Sequence, residues 1–124
     1  MTMVSITDNY FAALNGIDRA TYLACFTAEA ELLDPYGARP FLGQAGLHKF
    51  MDGMERTWQS FQMTPGTAYA AGDRVAIPWT CTATAKSGKT AQFAGINLFT
   101  LTADGLISRL EGYWDFRAMV AQIS

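Results

Sequence analysis

Residues 31–43 read ELLDPYGARPFLG, and this stretch places one carboxylate where an apolar strand is predicted to run out into a turn. The carboxylate is Asp34, and most of its neighbours in sequence are apolar. Apolar surroundings disfavour the charged form of a carboxyl group and raise its pKa towards neutral pH, as a general base requires. The alternative is that Asp34-Pro35 only opens a turn, in which the aspartate side chain bonds to its own backbone.

The composition predicts one globular domain, residues 1–124, that is rich in apolar side chains. Half of the 124 residues are hydrophobic, 13% are aromatic and only 16% are charged, against about 25% charged in typical domains. A chain of this length buries roughly two thirds of its unfolded surface. The apolar surplus therefore predicts a lined pocket or a subunit interface.

Charge and cysteine usage limit the classes of partner. The net charge is −2 and the nine Lys and Arg residues are scattered, whereas nucleic-acid binding requires clustered cations. The first ten residues lack the pattern of a signal peptide, and no apolar run approaches the ~20 residues that span a membrane. Cys25 and Cys81 lie far apart in apolar segments, without a nearby His or second Cys. We expect a soluble cytoplasmic protein with buried thiols, no metal, and neither nucleic acid nor a membrane as partner.

Apolar residues at helical spacing predict three helices in the first half of the chain. The first contains Tyr10 and ends near residues 15–16, with Ser5 or Thr7 as its cap, and the second is capped by Asp18. Residues 27–30 then turn into a short strand that leads to Asp34. The third helix is predicted over about residues 44–61 from the spacing of Leu47, Phe50, Met51, Met54 and Trp58. The single histidine, His48, lies one position off that stripe and is predicted at the surface.

The second half of the chain alternates with period two, which predicts strands. Residues 75–84 form one strand, in which Pro78 marks an edge or a bulge, and a hairpin turn at residues 86–89 leads to a strand over residues 90–102. A last strand over residues 106–114 precedes a short helix capped by Asp115. Helices followed by long antiparallel strands predict an α+β domain, with helices packed on one face of a curved antiparallel sheet and a conical pocket between them.

Two further polar residues fall on faces that this pattern predicts to be covered. Asn97 shares its strand face with Phe93, Phe99 and Leu101, and a buried amide without partners costs about 1–3 kcal/mol. It either pairs with a neighbouring strand or loop, or points an N–H donor into a cavity. Tyr10 lies on the apolar face of the first helix, where it is either a core aromatic with a bonded hydroxyl or a donor to a ligand.

The order of two helices, ELLDPYGARPFLGQAGLHKF, a long helix and AGINLFTLTADGLISRLEGYWDF resembles the ketosteroid isomerase and polyketide-cyclase (SnoaL-like) branch of the NTF2-like superfamily. The resemblance covers nearly the whole chain and implies a cone-shaped NTF2-like (cystatin-like) fold. Steroid isomerases carry a Tyr on the first helix, an Asp in the xDPxG turn, an acid in the penultimate strand and a Trp closing the last strand. The matching positions are Tyr10, Asp34, Asn97 and Trp114.

This resemblance implies roles for those residues. Asp34 would abstract a proton α to a carbonyl and return it two carbons away, while Tyr10 and Asn97 would donate to the developing enolate oxygen. Asn97 stands where the family has an acid, and this implies a weaker donor. Positions that support the tyrosine in some members are occupied by Phe26 and Met51. The residues implied to line an apolar substrate wall are Trp114, Phe93, Phe99, Trp79 and Leu110. No cofactor is implied.

Three classes of function remain open at this point. The first is an isomerase-like or cyclase-like enzyme acting on a hydrophobic carbonyl compound. The second is a non-catalytic module that holds an apolar ligand in the cone. The third is a dimerisation unit, since a homodimer is implied by the family and the outer face of the sheet is mixed in character. The residues predicted on that outer face are Thr80, Thr82, Ile96, Leu98 and Tyr113.

Overall fold

The computed structural model describes residues 3–124, with side chains described from residue 6 onwards. Within these described residues, four helices and seven strands follow one another. In chain order they are α1 (Met3–Asn15), α2 (Arg19–Ala24), β1 (Phe26–Leu33), β2 (Phe41–Leu42), α3 (Gly43–Thr57), β3 (Trp58–Pro65), β4 (Tyr69–Ala71), β5 (Arg74–Ala85), β6 (Thr90–Leu101), β7 (Ile107–Tyr113) and α4 (Phe116–Ile123).

The strands form one curved sheet in the order β2-β1-β7-β6-β5-β3, and β4 pairs with β5. The α+β prediction is confirmed, with one difference in strand direction. The pair β1/β7 is parallel, because the chain crosses over through α3 and five intervening strands before β7 returns beside β1. Within residues 3–124 the end strands β2 and β3 do not pair with each other, and the sheet stays open.

The alternation predicted for the long strands is confirmed by burial. Val75, Ile77, Trp79, Cys81 and Ala83 of β5 are buried under the helices, while Thr80 and Thr82 face outwards and are exposed. Pro78 lies in an interior strand, but at the point where β3 gives way to β4. Its carbonyl accepts from the Gly66 N–H (2.7 Å), outside either ladder.

The helix caps are partly as predicted. Asp18 accepts from the Thr21 backbone N–H (3.2 Å) and Asp115 accepts from that of Ala118 (3.0 Å), so both predicted caps are confirmed. The predicted cap of α1 is wrong, because the helix already begins at Met3 and both Ser5 and Thr7 lie inside it.

Two element boundaries differ from the sequence prediction. Helix α3 ends at Thr57 rather than near residue 61, and Trp58 begins β3. The spacing from Met54 to Trp58 suits a helix, but β3 pairs with β5 along its length with an irregularity after Trp58, and this pairing keeps the tryptophan buried. Strand β1 likewise begins at Phe26, where a turn was predicted over residues 27–30.

Side-chain amides attach α1 and α4 to the sheet. Asn15 at the end of α1 donates to the Met63 carbonyl (3.0 Å) and accepts from the Met63 N–H (2.7 Å) on edge strand β3. Gln122 of α4 makes the same two contacts with the backbone of Gln92 in β6, at 2.9 and 2.8 Å. Each amide satisfies backbone groups that would otherwise be left free beside a strand, and together they fix two helices over the inner face.

Two glycines of α3 give a matched test of this packing. A Cβ at Gly46 would lie 2.6 Å from the carbonyl carbon of Phe41, whereas a Cβ at Gly53 meets nothing nearer than the Arg56 guanidinium at 4.0 Å. We expect Gly46→Ala to lower the free energy of unfolding by about 1–3 kcal/mol through overpacking. Gly53→Ala should raise it by up to about 1 kcal/mol through helix propensity. Urea unfolding of both variants measures this, and changes of equal sign would contradict it.

Candidate functional site

A cavity of about 270 Å³ lies between the inner face of the sheet and helices α1, α3 and α4. Its lining is largely apolar and aromatic, and it includes all three tryptophans of the chain. The apolar side chains are Leu14, Phe41, Phe50, Met54, Trp58, Phe61, Met63, Trp79, Phe93, Trp114, Phe116 and Met119. Gly53 and three charged residues complete the lining, the latter being Asp34, Lys49 and Arg56. Pockets of this composition suit a hydrophobic ligand that a few polar groups orient.

The parallel pairing of β1 and β7 positions Asp34. Leu33 pairs with Glu111, so the next residue along β1, Asp34, arrives beside Gly112. The chain then bends through a cis Asp34–Pro35 peptide, and the Tyr36 N–H donates to the Gly112 carbonyl (2.7 Å). The end of β1 is thereby attached to β7, and the Asp34 carboxylate faces the cavity.

Gly112 leaves the space that this carboxylate occupies. A Cβ at that position would clash with Asp34 Oδ1 and lie 3.1 Å from Asp34 Cγ and 3.3 Å from Asn97 Oδ1. Asp34 and Asn97 therefore approach the same point on β7. Any side chain larger than hydrogen at residue 112 would force the two apart.

The Asp34 carboxyl is set up as a base of intermediate strength. Burial raises its pKa from 3.8 to about 6, and the hydrogen bond from the Trp114 indole N–H to Oδ1 (2.5 Å) limits that rise by stabilising the charged form. Among the described residues, Trp114 is the hydrogen-bond donor to this side chain and no backbone group of the turn donates to it. The structure thus gives Asp34 a different contact from the one that a simple Asp-Pro turn would make.

Tyr10, Asn97 and Trp79 form a hydrogen-bonded chain behind the cavity wall. The Trp79 indole N–H donates to Asn97 Oδ1 (2.9 Å), and Asn97 Nδ2 donates to the Tyr10 hydroxyl (3.3 Å). Tyr10 and Asn97 are fully buried and lie beneath the cavity lining, whereas Trp79 is part of it. The structure therefore brings the residues singled out in the sequence together, with the pair one layer behind the surface that a ligand would touch.

The Tyr10 hydroxyl has a spare hydrogen. It accepts from Asn97, and among the described residues no acceptor takes its own proton. Burial raises its pKa well above the ordinary value, so the group stays protonated and remains a donor. Phe26 packs its ring against Tyr10, at a centroid distance of 6.3 Å, and its side chain has no polar atom that could bond the hydroxyl. The ring of Tyr22 packs against that of Tyr10, at a centroid distance of 5.7 Å. Tyr22 is fully buried, with no described partner for its hydroxyl.

Of the five residues expected to line the wall, three do so. Trp79, Phe93 and Trp114 line the cavity, whereas Phe99 and Leu110 do not. Phe99 is fully buried against Tyr10 and Phe11 of α1, at ring distances of 5.1 and 6.2 Å. Leu110 pairs with Phe99 across β6 and β7 and is fully buried as well. The rings of α1 occupy the space above this part of the sheet, so it belongs to the core.

Sequence reasoning missed the contribution of α3 to the cavity. Lys49, Phe50, Gly53, Met54 and Arg56 all line it. The positions 49, 53 and 56 recur at i, i+4 and i+7, which is a detectable signal for one helix face. It was obscured because charged residues at such spacing are typical of an ordinary solvated face.

Other candidate chemistries find no support in the part of the chain that the structure describes. His48 is exposed, as predicted, and its Nδ1 lies 2.9 Å from Nη1 of Arg19. No group of three or more His, Cys, Asp or Glu side chains among the described residues could hold a metal ion. No described helix is both long and apolar enough to cross a bilayer.

A cone of helices over a curved sheet, with a lone carboxylate in an apolar cavity, defines an NTF2-like domain. The model of the SnoaL-like domain family matches residues 7–110, and the chain belongs to this family. No curated protein sequence matches the chain.

Solved structures agree with this assignment at the level of the fold. Δ5-3-ketosteroid isomerase from Mycobacterium sp. is 23% identical, with a TM-score of 0.83 and coverage of 94% of this chain and 95% of that one. SalBIII, an epoxide hydrolase/cyclase-like enzyme with a role in pyran ring formation in polyether salinomycin, is 22% identical (TM-score 0.83; coverage 94% and 92%). RV0760c from Mycobacterium tuberculosis, in complex with estradiol-17β-hemisuccinate, is 18% identical (TM-score 0.82; coverage 93% and 95%).

The raised pKa of Asp34 has a consequence for stability. Well below pH 4 the carboxyl is protonated in the folded and unfolded chain alike, but from about pH 4 to pH 6 it is largely ionised in the unfolded chain only. The fold is therefore destabilised as pH rises, by up to about 3 kcal/mol above pH 6, since one pKa unit corresponds to about 1.4 kcal/mol. We expect Asp34→Asn to stabilise the protein by about 2–3 kcal/mol at pH 8 and by little at pH 4.

Urea unfolding at pH 4, 6 and 8 measures this effect. The exposed Asp73 provides the matched control, because Asp73→Asn removes the same charge at a solvated position. A change for Asp34→Asn that is the same at pH 4 and pH 8 would contradict the raised pKa.

Proposed function

We propose that this protein is an isomerase-like or cyclase-like enzyme that transfers a proton α to a carbonyl on a hydrophobic small molecule. The observation that carries this proposal is Asp34, a single carboxylate in an aromatic cavity, with its pKa raised to about 6 and an indole N–H on one oxygen. Such a group is mostly ionised at pH 7, yet basic enough to accept a proton from an activated carbon. No cofactor takes part in the proposed step.

The two carboxylate oxygens have different roles in this proposal. Oδ1 is occupied by Trp114, which holds the carboxylate in one orientation. The second oxygen is left to take the substrate proton and to return it at another carbon. As Asp34 becomes neutral in this step, negative charge develops on the carbonyl oxygen, and that charge needs a donor.

We assign that donor to Tyr10, supported by Asn97. The Tyr10 hydroxyl keeps a free hydrogen, and the N–H that it accepts from Asn97 makes it a better donor. Asn97 flanks Gly112 together with Asp34, and Tyr10 is the hydrogen-bond partner of Asn97. A substrate oxygen that contacts Tyr10 must enter beside the Trp79 indole, which covers the pair from the cavity side. The aromatic wall of Trp79, Phe93 and Trp114 would hold the apolar body of the substrate.

The structural neighbours support the same chemistry by analogy. One is named as a Δ5-3-ketosteroid isomerase and another as an epoxide hydrolase/cyclase-like enzyme. A third was solved with a steroid derivative bound. These names fit a fold that presents an apolar cavity to a small molecule, and we carry over the reaction class but no individual substrate.

One observation favours a second candidate, a non-catalytic module that binds an apolar ligand. Asn97 is bonded on both of its polar atoms, and the Tyr10–Asn97 pair lies behind the cavity lining. If a ligand does not reach the Tyr10 hydroxyl, the cavity retains its apolar walls but lacks an oxyanion donor. Binding without turnover would then be the function.

Two carbonyl compounds test the enzymatic proposal. A β,γ-unsaturated 3-oxosteroid reports isomerisation through the absorbance of its conjugated product, and 2-tetralone in D₂O reports deuterium uptake at its α-carbon by NMR. We expect activity that rises with pH around a midpoint near 6, where Asp34 ionises. Asp34→Asn should lower the rate by at least about 10²-fold, since it removes the base.

The tryptophans supply the control. Trp114→Phe removes the N–H that lowers the pKa of Asp34, so the midpoint should move above 6. Trp79→Phe also removes an indole from the cavity, but its N–H is bonded to Asn97, and the midpoint should stay where it is. Tight binding of a phenolic steroid mimic without conversion or deuterium uptake would favour the binding module. Activity that survives Asp34→Asn would refute the assignment of the base.

We further propose that the protein is a cytoplasmic homodimer formed through the outer face of the sheet. The outer face carries apolar side chains among polar ones, with Ile96 48% and Tyr113 43% exposed. The ring of Tyr113 also packs against that of Tyr36, at a tilt of 38° and a centroid distance of 5.5 Å, which extends this surface. The free thiols of Cys25 and Cys81 are buried, as suits a reducing compartment.

Sedimentation equilibrium tests the dimer. We expect a mass twice the 13.6 kDa of the chain. Ile96→Arg should reduce it to that of the monomer, because a charge would be buried in the interface. Ala12→Arg, which introduces the same charge at an exposed position of α1 on the other side of the sheet, is the matched control and should leave the dimer intact. A wild-type protein that sediments as a monomer would rule the proposal out.

A further inference from the structure

The cavity carries two cations as well as the carboxylate. Lys49 and Arg56 line it from α3, and both are exposed at its mouth. They are the two positively charged residues of a lining that is apolar apart from them and Asp34, in a chain whose net charge is −2. A basic pair at the entrance of an aromatic cavity needs an explanation in terms of what enters.

The charges of α3 are separated onto two faces of the helix. Asp52 and Glu55 face α2, where Arg19 holds both of them at 2.6 and 2.9 Å. Lys49 and Arg56 point to the cavity side, and among the residues that the structure describes neither forms an ion pair. The acidic side chains of the helix are thus engaged elsewhere, and the two cations remain available to a ligand.

Gly53 lies between these cations on the same helix face. Residues 49, 53 and 56 are spaced at i, i+4 and i+7, which aligns them along the mouth of the cavity. A Cβ at Gly53 would have only the Arg56 guanidinium near it, at 4.0 Å, so the space beside it is open. A small anionic group can therefore contact both cations without displacing a side chain.

The two cations act at a different end of the cavity from Asp34. Burial and the Trp114 hydrogen bond account for the shift in the pKa of Asp34, and neither Lys49 nor Arg56 contributes to it. A surface groove next to the mouth shares Phe41 and Lys49 with the cavity and adds Arg39. Positive charge thus lies at the entrance, while the proposed base lies deeper against β7.

We propose that the ligand is an amphipathic acid whose apolar body fills the aromatic cavity while its carboxylate is bound by Lys49 and Arg56. This deepens the proposed function, and it rests on that function for the carbonyl group at Asp34: the substrate becomes a hydrophobic keto acid. The ion pair at the mouth fixes which end of the molecule enters first. It therefore determines which carbon is presented to Asp34.

Matched acids and esters test this inference by binding alone. The probes are 5-oxo-5-phenylpentanoic acid and its methyl ester, which differ in charge but share the aryl ketone. Isothermal titration calorimetry at low salt should show the acid binding about tenfold more tightly than the ester. Each of Lys49→Gln and Arg56→Gln should lower the affinity for the acid about threefold, as expected for partly exposed ion pairs. The affinity for the ester should be unchanged. The double variant should bind acid and ester alike.

Arg74→Gln is the control, because it removes an exposed charge outside the cavity. Raised salt should reduce the preference for the acid by screening. Equal affinities of acid and ester for the wild type, a preference that survives the double variant, or no binding of the acid at millimolar concentration would each overturn the inference.

Asp34→Asn separates this inference from the proposed function. The variant should keep the preference for the acid while it loses deuterium uptake at the carbon next to the ketone. A preference for the acid without any uptake by the wild type would count against proton transfer and leave the anion site standing. Deuterium uptake by the wild type without a preference for the acid would support proton transfer and count against the anion site.

Discussion

The close approach of Asp34 to the backbone of β7 is the constraint on which the candidate site depends. It requires the parallel pairing of β1 with β7, the hydrogen bond from the Tyr36 backbone N–H to the Gly112 carbonyl, and the absence of a side chain at residue 112. Each of these features places the carboxylate against the sheet rather than in solvent. The Trp114 indole then fixes its orientation. The proposed base is thus positioned by the strand topology, in particular by the parallel return of β7 beside β1.

The same arrangement works against the stability of the fold. A carboxyl whose pKa is raised to about 6 favours the unfolded chain at neutral pH, because ionisation is easier in water. The surrounding packing must offset this cost, and the aromatic layer of Tyr10, Phe11 and Phe99 beside the site is well suited to do so. A group held in an unfavourable charge state within a rigid shell is typical of functional sites.

The sequence predicted the elements better than it predicted the cavity. Alternation identified the covered faces of β5 and β6 because burial on a sheet follows a strict period of two. It could not separate Trp79, which lines the cavity, from Phe99, which is core, since both lie on the same face and only the placement of α1 divides them. Trp58 was assigned to a helix because its spacing from Met54 is helical, and only pairing with β5 decides otherwise. Whether Lys49 and Arg56 line the cavity depends on how α3 is rotated about its axis. The local sequence does not determine that rotation.

Asn97 shows why this site differs from one that is built on two acids. Its oxygen accepts from the Trp79 indole N–H while its nitrogen donates to the Tyr10 hydroxyl. One amide therefore serves as the acceptor for one buried neighbour and as the donor to another. A second carboxyl here would flank Gly112 together with Asp34. If ionised, it would raise the pKa of Asp34 further. The neutral amide adds no charge beside Asp34, and in the proposed function it leaves the Tyr10 proton as the donor beside the proposed base. In the proposed function, the site therefore depends on Tyr10 as the oxyanion donor and on Asp34 alone for the carboxylate chemistry.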